Sequence, residues 1–153
     1  MDVTIEELDP IRIATARHVG PYAGISQAFM RLGQLGGPAG LFGAETIMLA
    51  IYHDDPDNKA PEELESFACA SVSADTKIPE GLGEATIPGG RYAKVTHVGP
   101  YTGLGDKWNA FMGQWLPKSG NRLGDGTVFE VYRNIPQTTP PAELRTDLYL
   151  PLA

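Results

Sequence analysis

The sequence predicts an α+β fold in which one strand-helix-strand-strand module occurs twice in tandem. The first observation is a repeated pentapeptide, because His18-Val19-Gly20-Pro21-Tyr22 recurs unchanged as His97-Val98-Gly99-Pro100-Tyr101. The second is the alignment that continues behind it, which pairs Ile51-Tyr52 with Val131-Tyr132 and Glu63-Leu64 with Glu143-Leu144. A match that persists at a nearly constant offset indicates one structural unit written twice.

The first copy reads as strand, helix, strand, strand. Residues 11–19 form an apolar run that ends at Gly20-Pro21, and this pattern predicts the first strand. A helix is expected from Tyr22 onward, because apolar side chains follow at helical spacing, at Ile25, Phe29 and Leu32. The glycine-rich residues 33–43 are expected to end this helix and form a loop. Two strands complete the copy, at residues 46–52 and 67–72.

The second copy repeats this order of elements. Its helix is expected at residues 102–115, with Pro117 as the helix stop. Its strands are expected at residues 91–98, 127–133 and 144–150, and short leading strands are expected at residues 3–8 and 84–87. The chain is thus interpreted as a single domain, residues 1–153, with modules at about 1–74 and 84–153 and a linker at about 75–83.

The charge of the chain limits the classes of partner. The net charge is −7, and residues 1–79 carry 12 acidic and 5 basic residues, whereas residues 80–153 carry 7 of each. Because no basic stripe occurs, we expect no direct binding to nucleic acid. A negative field favours cationic partners, although an acidic surface that only aids solubility is an equal alternative.

Compartment and cofactors follow from what the sequence lacks. It contains no run of eighteen apolar residues and no basic-then-apolar start, which predicts a cytoplasmic protein without membrane contact. Its single cysteine, Cys69, excludes an internal disulfide and a cysteine zinc cluster. The acidic loop with His53, Asp54, Asp55 and Asp57 lacks the spacing of a calcium loop, so we expect a solvated turn, no metal and no cofactor.

Glu130 is the most suggestive single position. It interrupts the apolar run Val128-Phe129-Glu130-Val131-Tyr132, and the aligned residue of the first copy is Ala50. Strand alternation places Glu130 and Tyr132 on one face of the strand. A carboxylate among apolar neighbours is costly unless something compensates its charge. Two interpretations stay open: a ligand-binding carboxylate, or a structural one that pairs with a tyrosine hydroxyl or an arginine.

Aromatic residues are the second candidate feature. Apolar side chains at helical spacing predict one stripe on the second helix, formed by Trp108, Phe111, Met112 and Trp115. Core packing explains such a stripe, but aromatic walls beside a carboxylate also suit a lipophilic cation. Tyr22 and Tyr101 directly follow the two Gly-Pro pairs and are candidates for the rim of a ligand site. His18 and His97 occupy equivalent places in both copies, which favours a structural role in the turn.

Three motifs together resemble the GyrI-like family, the effector-binding domains related to the C-terminal modules of AraC- and MerR-type multidrug regulators. They are the repeated His-Val-Gly-Pro-Tyr, the stretch Ile51-Tyr52-His53-Asp54-Asp55-Pro56 that runs into Pro61-Glu62-Glu63-Leu64, and Phe129-Glu130-Val131-Tyr132. The resemblance covers nearly the whole chain. It implies a curved antiparallel sheet whose two flanking helices border a central cleft. It also implies that Glu130 is the counter-charge of a cationic, aromatic, drug-like ligand, with Tyr132, Trp108 and Tyr101 as wall residues.

The same resemblance leaves three functions open. Because the two modules account for the whole sequence, we expect a stand-alone small-molecule-binding protein without the helix-turn-helix domain that regulators of this family carry. One alternative is a hydrolase that opens reactive cyclopropane rings and uses Glu130 to activate water. The other is an interaction module that inhibits a protein, as the gyrase-inhibitor member of the family does. The residues favour binding over catalysis, and they leave the oligomeric state open.

Overall fold

The computed structural model describes residues 1–54 and 57–153, which fall into two compact units. The first, here called the C-terminal unit, combines Met1–Asp9 with Pro88–Ala153. The second, the N-terminal unit, comprises Pro10–Ile87. Each unit contains a four-stranded antiparallel sheet and a helix, which confirms the predicted α+β class.

The described residues form eight strands, two helical segments and four short 3-10 turns. The strands are β1 (Thr4–Leu8), β2 (Ile11–Val19), β3 (Met48–Tyr52), β4 (Glu65–Ser71), β5 (Gly83–Ile87), β6 (Gly90–Val98), β7 (Phe129–Tyr132) and β8 (Arg145–Pro151). The helices are α1 (Ser26–Gly36), α2 (Leu104–Ala110) and α3 (Leu116–Ser119), and a π-helical turn, Phe111–Trp115, joins the last two without a break. The 3-10 turns are Tyr22–Gly24, Pro61–Glu63, Tyr101–Gly103 and Pro141–Glu143.

The position of these turns confirms the internal duplication. Tyr22–Gly24 and Tyr101–Gly103 follow the two copies of the pentapeptide, and Pro61–Glu63 and Pro141–Glu143 precede the last strand of each copy. In both copies the histidine Nε2–H donates a hydrogen bond to the proline carbonyl three residues on, at 2.9 Å for His18 and 3.0 Å for His97. Both histidines therefore stabilise the turn, which is the structural role that the sequence predicts for them.

The N-terminal unit has the strand order β3-β4-β2-β5. Its helix α1 covers a sheet face made of small side chains, because the core beneath it contains Ala14, Ala16, Ala68 and Ala70. Leu32 and Ala28 of α1 are the helix residues buried against that face. Small residues on the strands let the helix approach the sheet closely.

The C-terminal unit has the strand order β1-β6-β8-β7. The register places Val95 of β6 and Glu130 of β7 on either side of Leu148 of β8. Leu148 and Val95 share a core cluster with Phe111 and Leu104 of the helical segment. The face of the sheet that carries Glu130 is therefore the face that the helix covers.

The first helix is longer than the sequence predicts. The glycine-rich residues 33–43 were expected to form a loop, but α1 includes Gly33 and Gly36 and ends at Gly36. A Cβ atom added to Gly36 would lie 3.0 Å from the ring of Phe42. Gly36 is thus required by the close return of the chain against the helix, and its presence does not break the helix.

The second helical segment does not stop at Pro117 as expected. It continues to Ser119 and ends at Gly120, whose φ of 78° is the left-handed conformation typical of a helix C-terminus. A proline within a helix removes one hydrogen bond and clashes with the carbonyl four residues earlier, here that of Gly113. Gly113 lies in the π-helical turn Phe111–Trp115, whose wider spacing accommodates the proline.

The leading strands pair across the sequence copies. β1 pairs with β6, so the first nine residues belong to the unit that contains the second copy. β5 precedes the second copy in sequence but pairs with β2 of the first. None of the helices in the described residues is long and apolar enough to cross a membrane.

Candidate functional site

Glu130 lies in the middle of β7 and is 1% exposed. Two hydrogen bonds of 2.8 Å hold its carboxylate: the indole Nε1–H of Trp108 donates to Oε1, and the hydroxyl of Tyr132 donates to Oε2. The predicted alternation of β7 is confirmed, because the two side chains two residues apart meet on one face. Both of these donors are uncharged groups, and each hydrogen-bonds one of the two carboxylate oxygens.

Trp108 reaches this carboxylate from α2, on the helix that covers the sheet. Its ring lies 6.0 Å from that of Phe111, which in turn lies 5.5 Å from that of Trp115. Phe111 is fully buried in the core of the unit, whereas Trp108 and Trp115 are only partly buried at the edge of that core. The aromatic row therefore anchors the indole that binds Glu130.

Tyr101 forms another side of the aromatic surroundings. It begins the 3-10 turn Tyr101–Gly103, and its ring lies 5.5 Å from that of Tyr132. Burial raises the pKa of the Tyr101 hydroxyl, and the negative charge of Glu130 raises it further. Tyr101 thus keeps its proton at neutral pH and presents a hydrogen-bond donor near the carboxylate.

Met112 and Tyr22 are the remaining predicted site residues. Met112 is expected in the apolar stripe, but it is 39% exposed. Tyr22 belongs to the N-terminal unit, where its ring lies 4.8 Å from that of Tyr52. Its hydroxyl donates to the backbone carbonyl of Asp54 and accepts from the backbone N–H of the same residue at 2.9 Å.

A polar network on the opposite face of the sheet was not predicted. Asp147 of β8 is 5% exposed and pairs with Val131, so it points away from the Glu130 face. It accepts hydrogen bonds from Thr96 at 2.6 Å and from Arg133 at 2.7 Å. Arg133 also donates to the hydroxyl of Tyr149. The sequence marks Asp147 less clearly than Glu130, because the polar residues Arg145 and Thr146 directly precede it.

Thr146 is a second residue that the sequence did not single out. It lies opposite Tyr132 in β7 and opposite His97 in β6, on the same face as Glu130. Its hydroxyl is buried and has no hydrogen-bond partner within the described part of the chain. Ser66 is the equivalent residue of the first copy and shares this property. No pattern in the sequence marks either hydroxyl as unsatisfied.

The acidic loop of the first copy is partly engaged in turn contacts. Asp54 accepts from the backbone N–H of Glu65 at 2.7 Å and from Lys59 at 3.3 Å. These contacts lower the pKa of the Asp54 carboxyl, the backbone bond most of all. Asp55, the third member of the predicted loop, lies outside the described residues. Across residues 1–54 and 57–153, no group of three His, Cys, Asp or Glu side chains is placed to hold a metal.

A surface cavity occurs away from the Glu130 cluster. It has a volume of about 270 Å³ and shares no residue with the predicted site. Its walls come from the start of β6, the loop before β7 and the chain end, and they include Arg91, Asp125 and Pro151.

Comparison with known proteins identifies the family. A family model described as "GyrI-like small molecule binding domain" matches residues 1–153. The Escherichia coli (strain K12) protein named probable transcriptional regulator YgiV is 34% identical over 103 residues, which cover 65% of this chain and 63% of that protein. The Serratia proteamaculans (strain 568) protein named DNA gyrase inhibitor is 33% identical over 144 residues, 88% of each chain.

Solved structures show the same fold at lower identity. The EcmrR C-terminal domain superposes with a TM-score of 0.84 at 20% identity, over 99% of this chain and 97% of that one. SAV2435, solved bound to tetraphenylphosphonium, superposes with a TM-score of 0.71 at 15% identity, over 100% of this chain and 94% of that one. The fold and the full-length family match agree with the expected resemblance. The chain therefore belongs to the GyrI-like family of small molecule binding domains.

Proposed function

We propose that the protein binds amphipathic, cationic small molecules and that Glu130 supplies the counter-charge. The observation that carries this proposal is a carboxylate that is 1% exposed and bonded to two uncharged donors, Trp108 and Tyr132. A charge in such surroundings acts over a longer range than one in water, because the local dielectric constant is lower. A cation near it gains more than it would at an exposed carboxylate.

The aromatic rings around Glu130 suit the same class of ligand. Tyr101 and Tyr132 contact each other at 5.5 Å, and Trp108 continues into the row of Phe111 and Trp115. Ring faces attract cations and supply apolar area, so one site favours both the charge and the bulk of a lipophilic cation. SAV2435, which shares the fold, was solved with tetraphenylphosphonium, a ligand of this chemical class.

The experiment compares Glu130→Gln with the wild type. Glutamine keeps the shape and the hydrogen-bonding oxygen but removes the charge. We expect the affinity for lipophilic cations to fall more than tenfold, from roughly 2 kcal/mol or more for losing the partner of a buried charge. The affinity for neutral analogues of equal size should change by less than threefold.

Tryptophan fluorescence and calorimetry measure both affinities, since Trp108 touches the carboxylate directly. Glu143→Gln is the matched control, because Glu143 is exposed on the turn Pro141–Glu143 of the same unit. An equal loss of affinity for cations and neutral analogues in Glu130→Gln would show that the charge has no part in binding.

A hydrolase is the second candidate, and the contact between Tyr132 and Glu130 favours it. In this role Glu130 is the base that takes a proton from the attacking water, and a tyrosine hydroxyl beside it, such as that of Tyr132 at 2.8 Å, donates a proton to the group that leaves as the ring opens. The test is turnover of an electrophilic, cyclopropane-bearing substrate at catalytic protein concentration. Protection that stops at one substrate molecule per protein would assign the chain to binding.

Inhibition of a protein partner is the third candidate, and the relatives named DNA gyrase inhibitor favour it. The N-terminal unit carries ten acidic and five basic residues, and such a surface would attract a basic partner. A gyrase pull-down at increasing ionic strength tests this role. Binding that weakens steeply with salt supports it, and binding that is independent of salt contradicts it.

A further inference from the structure

The π-helical turn Phe111–Trp115 interrupts the regular hydrogen bonding of the second helical segment beside Pro117. In an α-helix the carbonyl of Gly113 would accept a bond from the N–H of residue 117, but proline has no N–H and its ring clashes with that carbonyl. In the π-helical turn the N–H of Leu116 bonds to the carbonyl of Phe111, five residues earlier. Turns of this kind are rare, and many of them lie at functional sites.

The first copy builds the same element as a regular helix. α1 runs from Ser26 to Gly36 as one α-helix, and it ends two residues before Pro38, which aligns with Pro117. Gly36 stands in α1 where Trp115 stands in the second copy. The π-helical turn, the proline within a helix and the large aromatic side chain thus occur together in the second copy, and all three are absent from α1, every residue of which the structure describes.

The π-helical turn changes the direction of the side chains that follow Phe111. Four residues exceed one turn of an α-helix, which has about 3.6 residues, but they fall short of one turn of the wider π-helix. Trp115 is therefore rotated to the flank of the helix, where its ring lies 5.5 Å from that of Phe111. Leu116 takes the direction that Trp115 would have in an α-helix, and it packs against the core of the unit although it lies outside the predicted stripe.

We propose that Pro117 is a positioning residue for ligand binding: it holds the π-helical turn, and the turn keeps the indole of Trp115 at the edge of the core, where it contacts the ligand. This inference rests on the proposed function, because Trp115 ends the aromatic row that begins with Trp108. A regular helix would bury Trp115 in place of Leu116 and withdraw its ring from the site. The unfavourable turn is thus retained for binding, at a cost to the helix.

Pro117→Ala tests the role of the proline. Alanine supplies the missing N–H and removes the clash, so we expect the segment to become a regular α-helix. In the crystal structure of the variant, the N–H of Leu116 should bond to the carbonyl of Met112 and no longer to that of Phe111. The dissociation constant for tetraphenylphosphonium, measured by calorimetry, should rise about fivefold, which is the effect of losing one aromatic contact.

The stability of Pro117→Ala separates this effect from damage to the fold. Alanine favours a helix more than proline does, so the midpoint of urea unfolding should not fall below that of the wild type. Weaker binding by a variant of equal or higher stability comes from the changed direction of Trp115. A lower midpoint would contradict the cost to the helix that the inference assigns to the turn.

Deletion of Gly113 combined with Pro117→Ala is the rescue variant. Removing one residue from a turn closed over five residues leaves a turn closed over four, so a regular α-helix then directs Trp115 and Leu116 as in the wild type. A Cβ atom on Gly113 would meet nothing within 4 Å, so the deletion removes no side-chain contact. The affinity should return to within about twofold of the wild type. Gln114→Ala is the control, because it changes an exposed side chain of the same turn and should leave the affinity unchanged.

The outcomes separate this inference from the proposed function. If Glu130→Gln weakens binding while Pro117→Ala leaves it within about twofold of the wild type, the proposed function stands and the inference is wrong. If Glu130→Gln leaves binding unchanged while Pro117→Ala weakens it and the deletion of Gly113 restores it, the counter-charge fails and the role of Pro117 stands. If the wild type does not bind tetraphenylphosphonium, both fail.

Two further results would overturn the inference by itself. A π-helical turn that persists in Pro117→Ala would mean that packing, and not the proline, holds the turn. Weaker binding in Pro117→Ala that the deletion of Gly113 does not restore would mean that the direction of Trp115 has no part in the effect. Weaker binding in the single variant together with recovery in the rescue variant supports the inference.

Discussion

Equivalent tyrosines of the two copies are held differently, and the difference predicts their contributions to stability. The hydroxyl of Tyr22 makes two bonds to the backbone of Asp54. The hydroxyl of Tyr101 has no hydrogen-bond partner in the part of the chain that the structure describes. We expect Tyr22→Phe to lower the free energy of unfolding by about 1 kcal/mol and Tyr101→Phe to change it by less than about 0.5 kcal/mol.

Urea unfolding of the two variants measures this difference, and each serves as the control for the other. Equal losses would mean that the hydroxyl of Tyr101 is bonded in solution. In that case Tyr101 would not present a free donor near Glu130, and its place in the proposed site would need revision.

Asp147 predicts how stability depends on pH. Its burial alone would raise the pKa of the carboxyl, but the bonds from Thr96 and Arg133 outweigh this and hold the pKa below its ordinary value. A carboxyl with a lowered folded-state pKa stabilises the protein above its unfolded-state pKa, and this contribution disappears as the pH falls through the folded-state pKa. Asp147→Asn should thus cost about 1–3 kcal/mol at pH 7, and much less below a pH of about 3.

Urea unfolding of the wild type and Asp147→Asn at several pH values checks this expectation. Asp2→Asn is the control, because Asp2 is exposed near the chain start. A difference between Asp147→Asn and the wild type that stays constant from pH 7 to pH 3 would contradict the assigned role of the hydrogen bonds.

At the residue scale, the sequence predicts which side chains are unusual but not which ones meet. The aligned Ala50 and the alternation of β7 were enough to single out Glu130 and to place Tyr132 beside it. The bond from Trp108 could not be derived, because periodicity orders residues along a helix without giving the distance from helix to strand. The two buried carboxylates, Glu130 and Asp147, face opposite sides of the sheet, and only Glu130 interrupts an apolar run.

At the scale of elements, the turn after the repeated pentapeptide depends on a glycine that the histidine covers. A Cβ atom on Gly103 would lie 2.9 Å from Cε1 of His97, whereas one on Gly105 would meet nothing within 4 Å. Gly103→Ala should therefore push His97 off the carbonyl of Pro100 and destabilise the protein by about 1–3 kcal/mol. Gly105→Ala should stabilise it by about 0.5–1 kcal/mol, because Gly105 lies within α2.

Thermal and urea unfolding of this matched pair measure the sign of the change in the free energy of unfolding for each variant. The pair also tests the turn as a support for Tyr101, since Tyr101 lies between His97 and Gly103. Destabilisation by both variants would indicate that α2 tolerates no added methyl group, and it would remove the special role of the histidine.

Proline and glycine were less informative for element boundaries than their usual roles suggest. Pro117 does not end the helix, since the π-helical turn Phe111–Trp115 absorbs its clash. Gly36 does not end α1 through its backbone freedom but is needed where Phe42 packs. Both errors have one cause: the role of each residue depends on a packing contact that the local sequence pattern does not reveal. The strands, whose apolar patterns are strong, were located to within one or two residues at most ends.

At the scale of the whole molecule, the duplication was evident from the sequence, but the pairing of the leading strands was not. Each leading strand continues into its own copy along the chain, which made modules at about 1–74 and 84–153 the natural division. Pairing depends on edges that the repeat leaves open: β1 adds to β6, and β5 adds to β2. A repeat in the sequence identifies the unit but does not state which copy supplies its outer strand.

The exchange of leading strands predicts a local response to deleting residues 1–9. The β1 strand is the outer partner of β6 in the C-terminal unit, and its register runs from Thr4 opposite Lys94 to Leu8 opposite Gly90. Its removal leaves one edge of β6 without hydrogen-bond partners, so amide exchange in β6 should become faster by at least tenfold. Amides of β2 and β4 bond within the N-terminal unit and should exchange at the wild-type rate. Hydrogen exchange read by mass spectrometry separates the two strands. Faster exchange in β2, with β6 unchanged, would mean that the leading strand pairs within its own sequence copy.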